Sequence, residues 1–320
     1  LERDRYNMLQ DATLLELFDM TLQKDRRSAL YRDYPFRITP TTDDRPFFSQ
    51  FLRWSRIDVL LEQFGQRTVP FIELGVLVAG LAAAILTVLA VILVLLPLAR
   101  LKDEPGSRCR TLIFFGGLGV GYMWTELAMI HRFEFYIGQP VYSAALVVAV
   151  LLIGSALGSM LTERFSNEQP RHLTTLVFIV LTLYVLTLGP ILQSTIHFSL
   201  LLRISLAIAA LIPAALIIGM PFPLGIRLLN RTAQNEIPWA WGINGCLSVV
   251  AAAFATLIAV ETGYRLLLLL AAWGTPDGDV NGDGFLDVYG NVRIFPETPH
   301  QAYPFIARWD PASSTFVPQY

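Results

Sequence analysis

Long apolar runs separated by short polar segments fill the middle of the chain. Two neighbouring runs, Thr111 to Phe133 and Pro140 to Leu161, are joined by only a few polar residues. Each run is about long enough to cross a hydrocarbon core of roughly 30 Å as an α-helix. The pair therefore predicts a transmembrane hairpin with its corner at Arg132 to Gln139.

The same pattern predicts six full membrane spans and a short seventh helix. The seventh run, Arg265 to Trp273, is only about 15 Å long as a helix and cannot cross a bilayer alone. Prolines mark two connections: Pro190 begins an uncharged turn, and Pro221 and Pro223 break the helix before the sixth span. The predicted full spans are Phe71 to Leu98, Thr111 to Phe133, Pro140 to Leu161, Leu173 to Leu188, Phe198 to Met220 and Trp239 to Val260.

Polar segments flank this apolar region and divide the chain into three parts. Residues 1–68 form a soluble or juxtamembrane segment, in which Leu9 to Leu22 and Phe51 to Phe64 have the spacing of amphipathic helices. The second of these helices lies either in the headgroup layer or against soluble protein. Residues 69–273 form the transmembrane domain, and residues 274–320 form a polar tail. We expect an all-α integral membrane helical bundle of about six to seven spans, with a small calcium-loop and β tail.

Composition supports a membrane protein and excludes several other classes. Hydrophobic residues make up 54% of the chain and charged residues 16%, whereas soluble domains carry about 25% charged residues. The net charge of -2 gives no basic surface for nucleic acid. Cys109 and Cys246 are too few for a disulfide framework and lack the spacing of a metal site. The chain starts at Leu1 without a signal peptide, which predicts a fragment or a processed piece.

The distribution of Lys and Arg predicts the orientation of the helices. The loops after the first, third and fifth spans carry most of these residues. Short loops rich in Lys and Arg stay in the cytoplasm. The N-terminal segment is therefore expected outside the cytoplasm, and the protein is expected to be a multi-pass protein of a plasma membrane, such as a bacterial inner membrane.

Two charged residues interrupt the apolar runs. A charge at mid-bilayer costs about 2.5–3.5 kcal/mol on insertion scales. Glu126 and Arg203 each lie about six residues from the predicted outer ends of their spans, roughly 9 Å deep, and we expect them to pair directly or through water. The pair forms either a proton or substrate site, with His131 as a second titratable group, or a structural ion pair. Alternatively, Arg203 extends alone to the surface.

A second polar pair lies near the predicted cytoplasmic face. Asn244 and Ser248 are four residues apart in one helix, and they are expected to face the proline-broken segment Met220 to Gly225. Broken helices bind substrates or ions in transporters. The alternative is a plain corner between two spans.

Small residues predict close contact between neighbouring helices. Gly117 with Gly121, and Gly154 with Gly158, are small-xxx-small pairs in adjacent spans. Small residues let helix backbones approach closely. Both pairs are therefore expected to pack the two helices of the hairpin against each other.

The tail contains a candidate calcium loop, and no other cofactor is predicted. Alternating oxygen-bearing side chains around a sharp glycine turn can wrap a hard cation such as Ca²⁺. The loop lacks the glutamate that an EF-hand places at its twelfth position, and it instead resembles the calcium loops of FG-GAP-type or dockerin-type repeats. The alternative is a solvated turn without a ligand. The candidate ligands are Asp279, Asn281, Asp283 and Asp287, around Gly284.

Several motifs, taken in their order along the chain, resemble the spermidine synthase-like membrane proteins. They are TDDRPFF at Thr42 to Phe48, GYMWTELAMIHRFEFYIGQPVYS in the hairpin, LLIGSALGSML after it, and GMPFPLGIRLL followed by PWAWGINGCLSVV. The resemblance covers Pro40 to Ala272. It implies an aminopropyltransferase-type Rossmann domain fused to transmembrane helices, with residues 1–40 as the last elements of that domain. It also implies polyamine-type cations as partners.

The chain departs from that family in the catalytic part. It has no Gly-rich turn after a strand with an acidic residue about twenty positions further on, which a nucleoside-cofactor site needs. This chain alone is therefore not expected to catalyse aminopropyl transfer, and no catalytic residue is assigned. Its predicted role is to anchor or serve a synthase-like domain, or to pass cations to or from it.

Two other classes of function stay open. The segment LLIGSALGSMLTERF resembles the loop between the second and third helices of major facilitator transporters. One alternative is therefore a secondary transporter that uses Glu126 and His131 for proton coupling. The other alternative is a structural membrane anchor without a ligand.

Overall fold

A computed structural model of the chain describes residues 12–53, 56, 58–59, 62, 74–99, 105–164, 170–232, 234–273, 306–310 and 315–319. Most of these residues are helical, which confirms the predicted helical bundle as a class. A π-helical turn, Val91–Leu95, joins the helix Leu74–Ala90 to the helix Leu96–Ala99. The helices are α1 Ala12–Leu22, α2 Lys24–Asp33, α3 Leu74–Ala90, α4 Leu96–Ala99, α5 Pro105–Ile137, α6 Pro140–Leu161, α7 Pro170–Thr195, α8 Leu200–Ile218, α9 Pro221–Thr232, α10 Ile237–Thr262 and α11 Tyr264–Trp273.

Among the described residues, 5 helical stretches are long and apolar enough to cross a membrane. They coincide with five of the predicted spans. The remaining predicted span lies in α7, whose apolar part Ile179–Thr195 is shorter. The exact number of spans therefore stays a prediction. The 5 stretches are Gly75–Val94, Arg110–Ile137, Pro140–Leu161, Leu200–Arg231 and Gln234–Thr262.

Helix α5 lies at the centre of the bundle, where it contacts α6, α8, α9, α10 and α11. Its side chains Phe133 and Tyr136 are buried in one apolar core with Leu151 of α6 and Leu211 of α8. Apolar surface gains little by leaving lipid, so helices in a membrane are held together mainly by van der Waals packing and hydrogen bonds. The tightly packed core around α5 supplies that packing.

The short helix α11 packs one face against α5 and α7. Its residues Leu267, Leu268 and Ala271 are completely or almost completely buried. With 10 residues, α11 has the predicted length, which is too short to cross a bilayer. It runs back along α5 from the end at which α10 finishes.

The corner of the hairpin is tighter than the sequence predicts. Helix α5 continues to Ile137, so only Gly138 and Gln139 connect it to α6. Gly138 has a φ of 80°, a conformation that glycine adopts without steric cost. The predicted corner beginning at Arg132 is wrong. Charged residues that lie near the membrane interface can remain part of the helix, so they do not mark its end.

Prolines interrupt the helices less than predicted. Helix α7 runs through Pro190 to Thr195, so the predicted turn at Pro190 is wrong. After α8, the break is confined to Gly219 and Met220, and Pro221 begins α9. Proline is tolerated in a first helical turn because the backbone N–H groups there have no intrahelical partners. The connection predicted as irregular is therefore a short break followed by a new helix.

The closest helix contact involving the predicted glycine pairs joins α6 to α8. A Cβ atom at Gly154 would overlap Ala215, and one at Gly158 would overlap the carbonyl group of Leu216. In α5, Gly116 and Gly119 lie against α10. The prediction that Gly154 and Gly158 pack the hairpin is therefore wrong, although the prediction of close approach at these positions is confirmed.

The polar N-terminal part forms two short helices and an irregular segment. Helix α1 lies within the predicted amphipathic stretch, whereas the polar sequence of α2 gives no prediction of a helix. The guanidinium of Arg53 donates hydrogen bonds of 3.0 Å to the carbonyl oxygens of Tyr31, Arg32 and Tyr34. These bonds satisfy groups that a helix end leaves unpaired. Half of the predicted helix Phe51 to Phe64 lies outside the described residues; within the other half, residues 51–53 are not helical, whereas Asp58, Val59 and Glu62 are.

In the tail, the described residues form an antiparallel pair of strands, β1 Ile306–Asp310 and β2 Thr315–Gln319. Ile306 lies opposite Gln319 in this pair. The predicted calcium loop, Asp279 to Asp287, lies outside the described residues, so its ligation stays a prediction.

Candidate functional site

The corner between α10 and α11 lies at the end of the bundle that is predicted to be extracytoplasmic. Gly263 forms this corner with a φ of 90°. The last carbonyl groups of one helix and the first N–H groups of the next lack intrahelical partners at such a corner. Polar residues from the N-terminal part supply those partners. We call residues 37–48 the capping segment.

Two arginines of the capping segment bind the end of α10. Nη1 of Arg37 donates to the carbonyl oxygen of Val260 at 2.8 Å, and Nη2 of Arg37 lies 2.6 Å from Oε2 of Glu261. Nη2 of Arg45 donates to the carbonyl oxygen of Glu261. Because the C-terminus of a helix carries a partial negative charge, guanidinium groups are favourable there.

Asp44 binds the start of α11. Its carbonyl oxygen accepts a hydrogen bond of 3.1 Å from the N–H group of Tyr264. Its Oδ1 accepts one of 2.8 Å from the N–H group of Arg265. An aspartate is a favourable helix N-cap because its carboxylate satisfies free N–H groups and complements the helix dipole. Here the cap comes from a residue 221 positions away in the sequence.

The fit between Asp44 and Gly263 is close. A Cβ atom at Gly263 would lie 2.5 Å from Oδ2 of Asp44 and 3.0 Å from Cγ of Arg45. The positive φ of Gly263 also disfavours any side chain. Glycine at this corner therefore lets the capping segment reach the helix ends.

Asp44 also lies beside a cationic side chain of α5. Its Oδ1 lies 3.4 Å from Nη2 of Arg132 in α5, and the two side chains are 25% and 13% exposed, respectively. A Cβ atom at Gly189 of α7 would lie 3.4 Å from Nη1 of Arg132 and 3.6 Å from Nη2 of Arg265, which places both guanidinium groups at the same point of α7. The Asp44 carboxylate thus joins α5, through the charge of Arg132, to the first turn of α11.

Aromatic side chains enclose the same corner. The ring of His131 stacks on that of Tyr264 with their centroids 4.2 Å apart, and Nδ1 of His131 lies 3.4 Å from Oε2 of Glu134. The ring centroid of Phe47 lies 5.8 Å from that of Tyr264. The predicted site residue His131 therefore belongs to this corner.

The predicted pair of Glu126 and Arg203 is not formed. Nη1 of Arg203 donates to the carbonyl oxygen of Tyr136 at 2.6 Å, and Tyr136 lies about 15 Å along α5 from Glu126. Because α5 continues to Ile137, Glu126 lies about 16 Å below that end of the helix, whereas Arg203 lies in the first turn of α8. The predicted equal depth of the two residues is therefore wrong.

This separation gives a quantitative expectation for a double-mutant cycle. We expect Glu126→Gln and Arg203→Gln to change the free energy of unfolding independently, with the double variant within about 0.5 kcal/mol of the sum. Chemical unfolding of the four proteins in detergent measures this coupling. A coupling above about 1 kcal/mol would contradict the separation of the two side chains.

Asn244 and Ser248 bind α5 and do not face the break before α9. Nδ2 of Asn244 donates to the carbonyl oxygen of Phe115 at 3.0 Å. Oγ of Ser248 donates to the carbonyl oxygen of Asn244 at 2.7 Å, and both groups lie against Gly119. The expectation that they face Met220 to Gly225 is wrong. Because hydrogen bonds between membrane helices stabilise packing, the contact is structural.

A second set of polar contacts, which the sequence does not predict, lies at the opposite end of the bundle. Glu236 is buried, and its Oε2 accepts a hydrogen bond from the hydroxyl group of Thr111. Nη1 of Arg227 in α9 donates to the carbonyl oxygen of Thr162 at 2.8 Å. The amphipathic sequence around Arg227 is the signal that could have predicted this contact, because α9 turns its polar side towards the end of α6.

Metal-binding clusters are absent from the described part of the chain: it has no group of three or more His, Cys, Asp or Glu side chains that could hold an ion. The candidate calcium ligands of the tail lie outside that part. A comparison of the chain with family models, with curated proteins and with solved structures finds no match. The resemblance to spermidine synthase-like proteins therefore stays a prediction from the sequence motifs.

Proposed function

We propose that this chain is the multi-pass membrane part of a spermidine synthase-like protein of the plasma membrane. In this proposal, residues 1–40 are the last elements of a preceding aminopropyltransferase-type domain, and the capping segment joins that domain to the ends of the helices. The chain itself anchors that domain and does not transfer aminopropyl groups. The 5 stretches long and apolar enough to cross a membrane support the anchoring role.

One observation carries the proposal. The capping segment contains the motif TDDRPFF, which resembles the junction between the two parts of that family, and it binds the ends of several helices at once. Asp44 contacts α5 and α11, while Arg37 and Arg45 contact α10. A loop that merely connects two elements needs no such contacts. A junction that fixes the position of a soluble domain relative to the membrane requires them.

The test begins with the gene upstream of Leu1. We expect it to encode a strand, a Gly-rich turn and a helix, with an acidic residue about twenty positions further on. The full-length product in membranes is expected to transfer an aminopropyl group from decarboxylated S-adenosylmethionine to a diamine. An upstream region that encodes no such domain, or a full-length product without this activity, would overturn the proposal.

A secondary transporter with Glu126 and His131 in one site was the second candidate. Five residues of α-helix turn the two side chains about 140° apart around the axis of α5. His131 is moreover engaged by Tyr264 and Glu134 at the capped corner. This geometry favours separate roles for the two residues, and a transport function would have to depend on Glu126 without His131.

A further inference from the structure

Glu126 lies near the middle of the stretch Arg110–Ile137, at mid-membrane depth when α5 crosses a bilayer. Among the described residues, it forms no ion pair and no hydrogen bond through its carboxylate. Two arginines that could neutralise Glu126 bind other groups: Arg203 binds the carbonyl oxygen of Tyr136, and Arg132 binds Asp44. Ionisable side chains inside membrane helices are costly and usually mark a functional site or a partner.

Tyr122 lies one turn before Glu126 on the same face of α5, and the two side chains interact electrostatically. The hydroxyl oxygen of Tyr122 is buried and has no hydrogen-bond partner. Buried hydroxyl groups in proteins normally have a partner. An unpaired hydroxyl beside an unpaired carboxylate therefore leaves two oxygen ligands available at the same place.

A third oxygen comes from α6. The side chain of Ser155 lies close to the Tyr122 hydroxyl group without forming a well-aligned hydrogen bond to it. The Ser155 hydroxyl group donates to the carbonyl oxygen of Leu152 at 3.1 Å. Its hydroxyl proton is thereby used, and its oxygen lone pairs remain free to accept. The backbone of Ser155 lies directly against Gly219, where α8 ends before α9 begins. Helix ends carry free carbonyl groups and partial negative charge, and broken membrane helices use them to coordinate ions.

We infer that Glu126, Tyr122 and Ser155 form an intramembrane site for a small monovalent metal cation such as Na⁺. Carboxylate and hydroxyl oxygens are hard ligands and suit hard cations. The site has one carboxylate, so one monovalent cation makes it neutral, whereas a divalent cation would leave an uncompensated positive charge. The inference goes beyond the proposed anchoring role and does not depend on it, so failure of one leaves the other unaffected.

The experiment measures thermal unfolding of the full chain in detergent, in NaCl and in choline chloride at equal ionic strength. A ligand that binds only the folded state raises the melting temperature as its concentration increases. We expect NaCl to raise the melting temperature above that in choline chloride. Glu126→Gln is expected to abolish the difference. Tyr122→Phe is expected to raise the half-maximal Na⁺ concentration about fivefold, the effect of losing one oxygen ligand.

Glu134→Gln is the matched control, because Glu134 lies on the same helix but beside His131 at the capped corner. This variant is expected to keep the full response to Na⁺. The inference is overturned if the wild-type protein has the same melting temperature in the two salts. This holds even if that melting temperature changes with pH. It is also overturned if Glu126→Gln keeps the Na⁺ response. Should Glu126→Gln fail to fold, an unchanged half-maximal Na⁺ concentration in both Tyr122→Phe and Ser155→Ala overturns it.

Discussion

Replacing Asp44 by alanine is expected to lower the free energy of unfolding by about 3 kcal/mol. The substitution removes a helix cap from α11, which contributes about 1 kcal/mol. It also leaves the mostly buried Arg132 without its carboxylate, and an unpaired buried charge costs several kcal/mol. Because the Asp44 side chain is 25% exposed, water screens the charge of Arg132. We therefore expect the unpaired charge to cost less than it would at a fully buried site, which gives the total of about 3 kcal/mol. The repulsion between Arg132 and the nearby Arg265 would then no longer be offset by the Asp44 charge.

Chemical unfolding in detergent measures this loss, and Asp43→Ala is the matched control. Asp43 is the preceding residue, is exposed, and makes only longer-range electrostatic contact with Arg132. Its replacement is expected to change the unfolding free energy by less than about 0.5 kcal/mol. Limited trypsin digestion gives a second measurement, since the bond after Arg37, in the same capping segment, should become a cleavage site in Asp44→Ala alone. Equal stability of the two alanine variants would contradict the capping role of Asp44.

Gly158→Ala is expected to destabilise the bundle by about 3 kcal/mol. The new Cβ atom would overlap the backbone carbonyl group of Leu216, which cannot rotate away as a side chain could. The cost of inserting an extra carbon into a tightly packed contact is about 1–3 kcal/mol, and backbone overlap places this substitution at the upper limit. Relief requires α6 and α8 to move apart, which would also loosen the contacts at Gly154 and Gly219.

Gly80→Ala provides the same chemical change in a different environment. A Cβ atom at Gly80 in α3 meets no atom within 4 Å, and alanine favours helix over glycine by about 1 kcal/mol. Thermal unfolding should therefore show a lower melting temperature for Gly158→Ala and an unchanged or higher one for Gly80→Ala. If both variants melt at the wild-type temperature, the backbones of α6 and α8 do not meet at Gly158.

The sequence predicts the apolar helices well because their signal is local. A run of apolar residues about as long as a bilayer is thick can be recognised without knowing its neighbours. The break at Gly219 and the corner at Gly263 were also predictable in position, since prolines or a polar interruption mark them. Helix α2 was missed because its sequence is polar on all sides and has no apolar periodicity.

The depth of charged residues was predicted poorly, for a physical reason. The polar residues near this helix end predict a loop, although Arg132 and Glu134 continue α5 at the predicted interface. This error moved the end of the helix inward and made Glu126 appear as shallow as Arg203. The backbone carbonyl of Tyr136, which binds Arg203, leaves no trace in a pattern of side chains.

The capped corner could be predicted only in part. The motif TDDRPFF was recognised as a resemblance, but its partners Glu261 and Arg265 lie more than 200 residues away. No local periodicity connects such residues. A usable signal was the glycine at position 263 between two apolar runs, because two helix ends that meet at one residue need hydrogen-bond partners from elsewhere.

The separation between Asp44 and Arg265 also has a consequence for biosynthesis. A ribosome adds about 5–20 residues per second, so the 221 positions between them correspond to roughly 10 to 40 s of translation. Arg37, Asp44 and Arg45 are therefore synthesised well before the helix ends that they bind. The contacts between the capping segment and the helix ends therefore form only after α11 has been made.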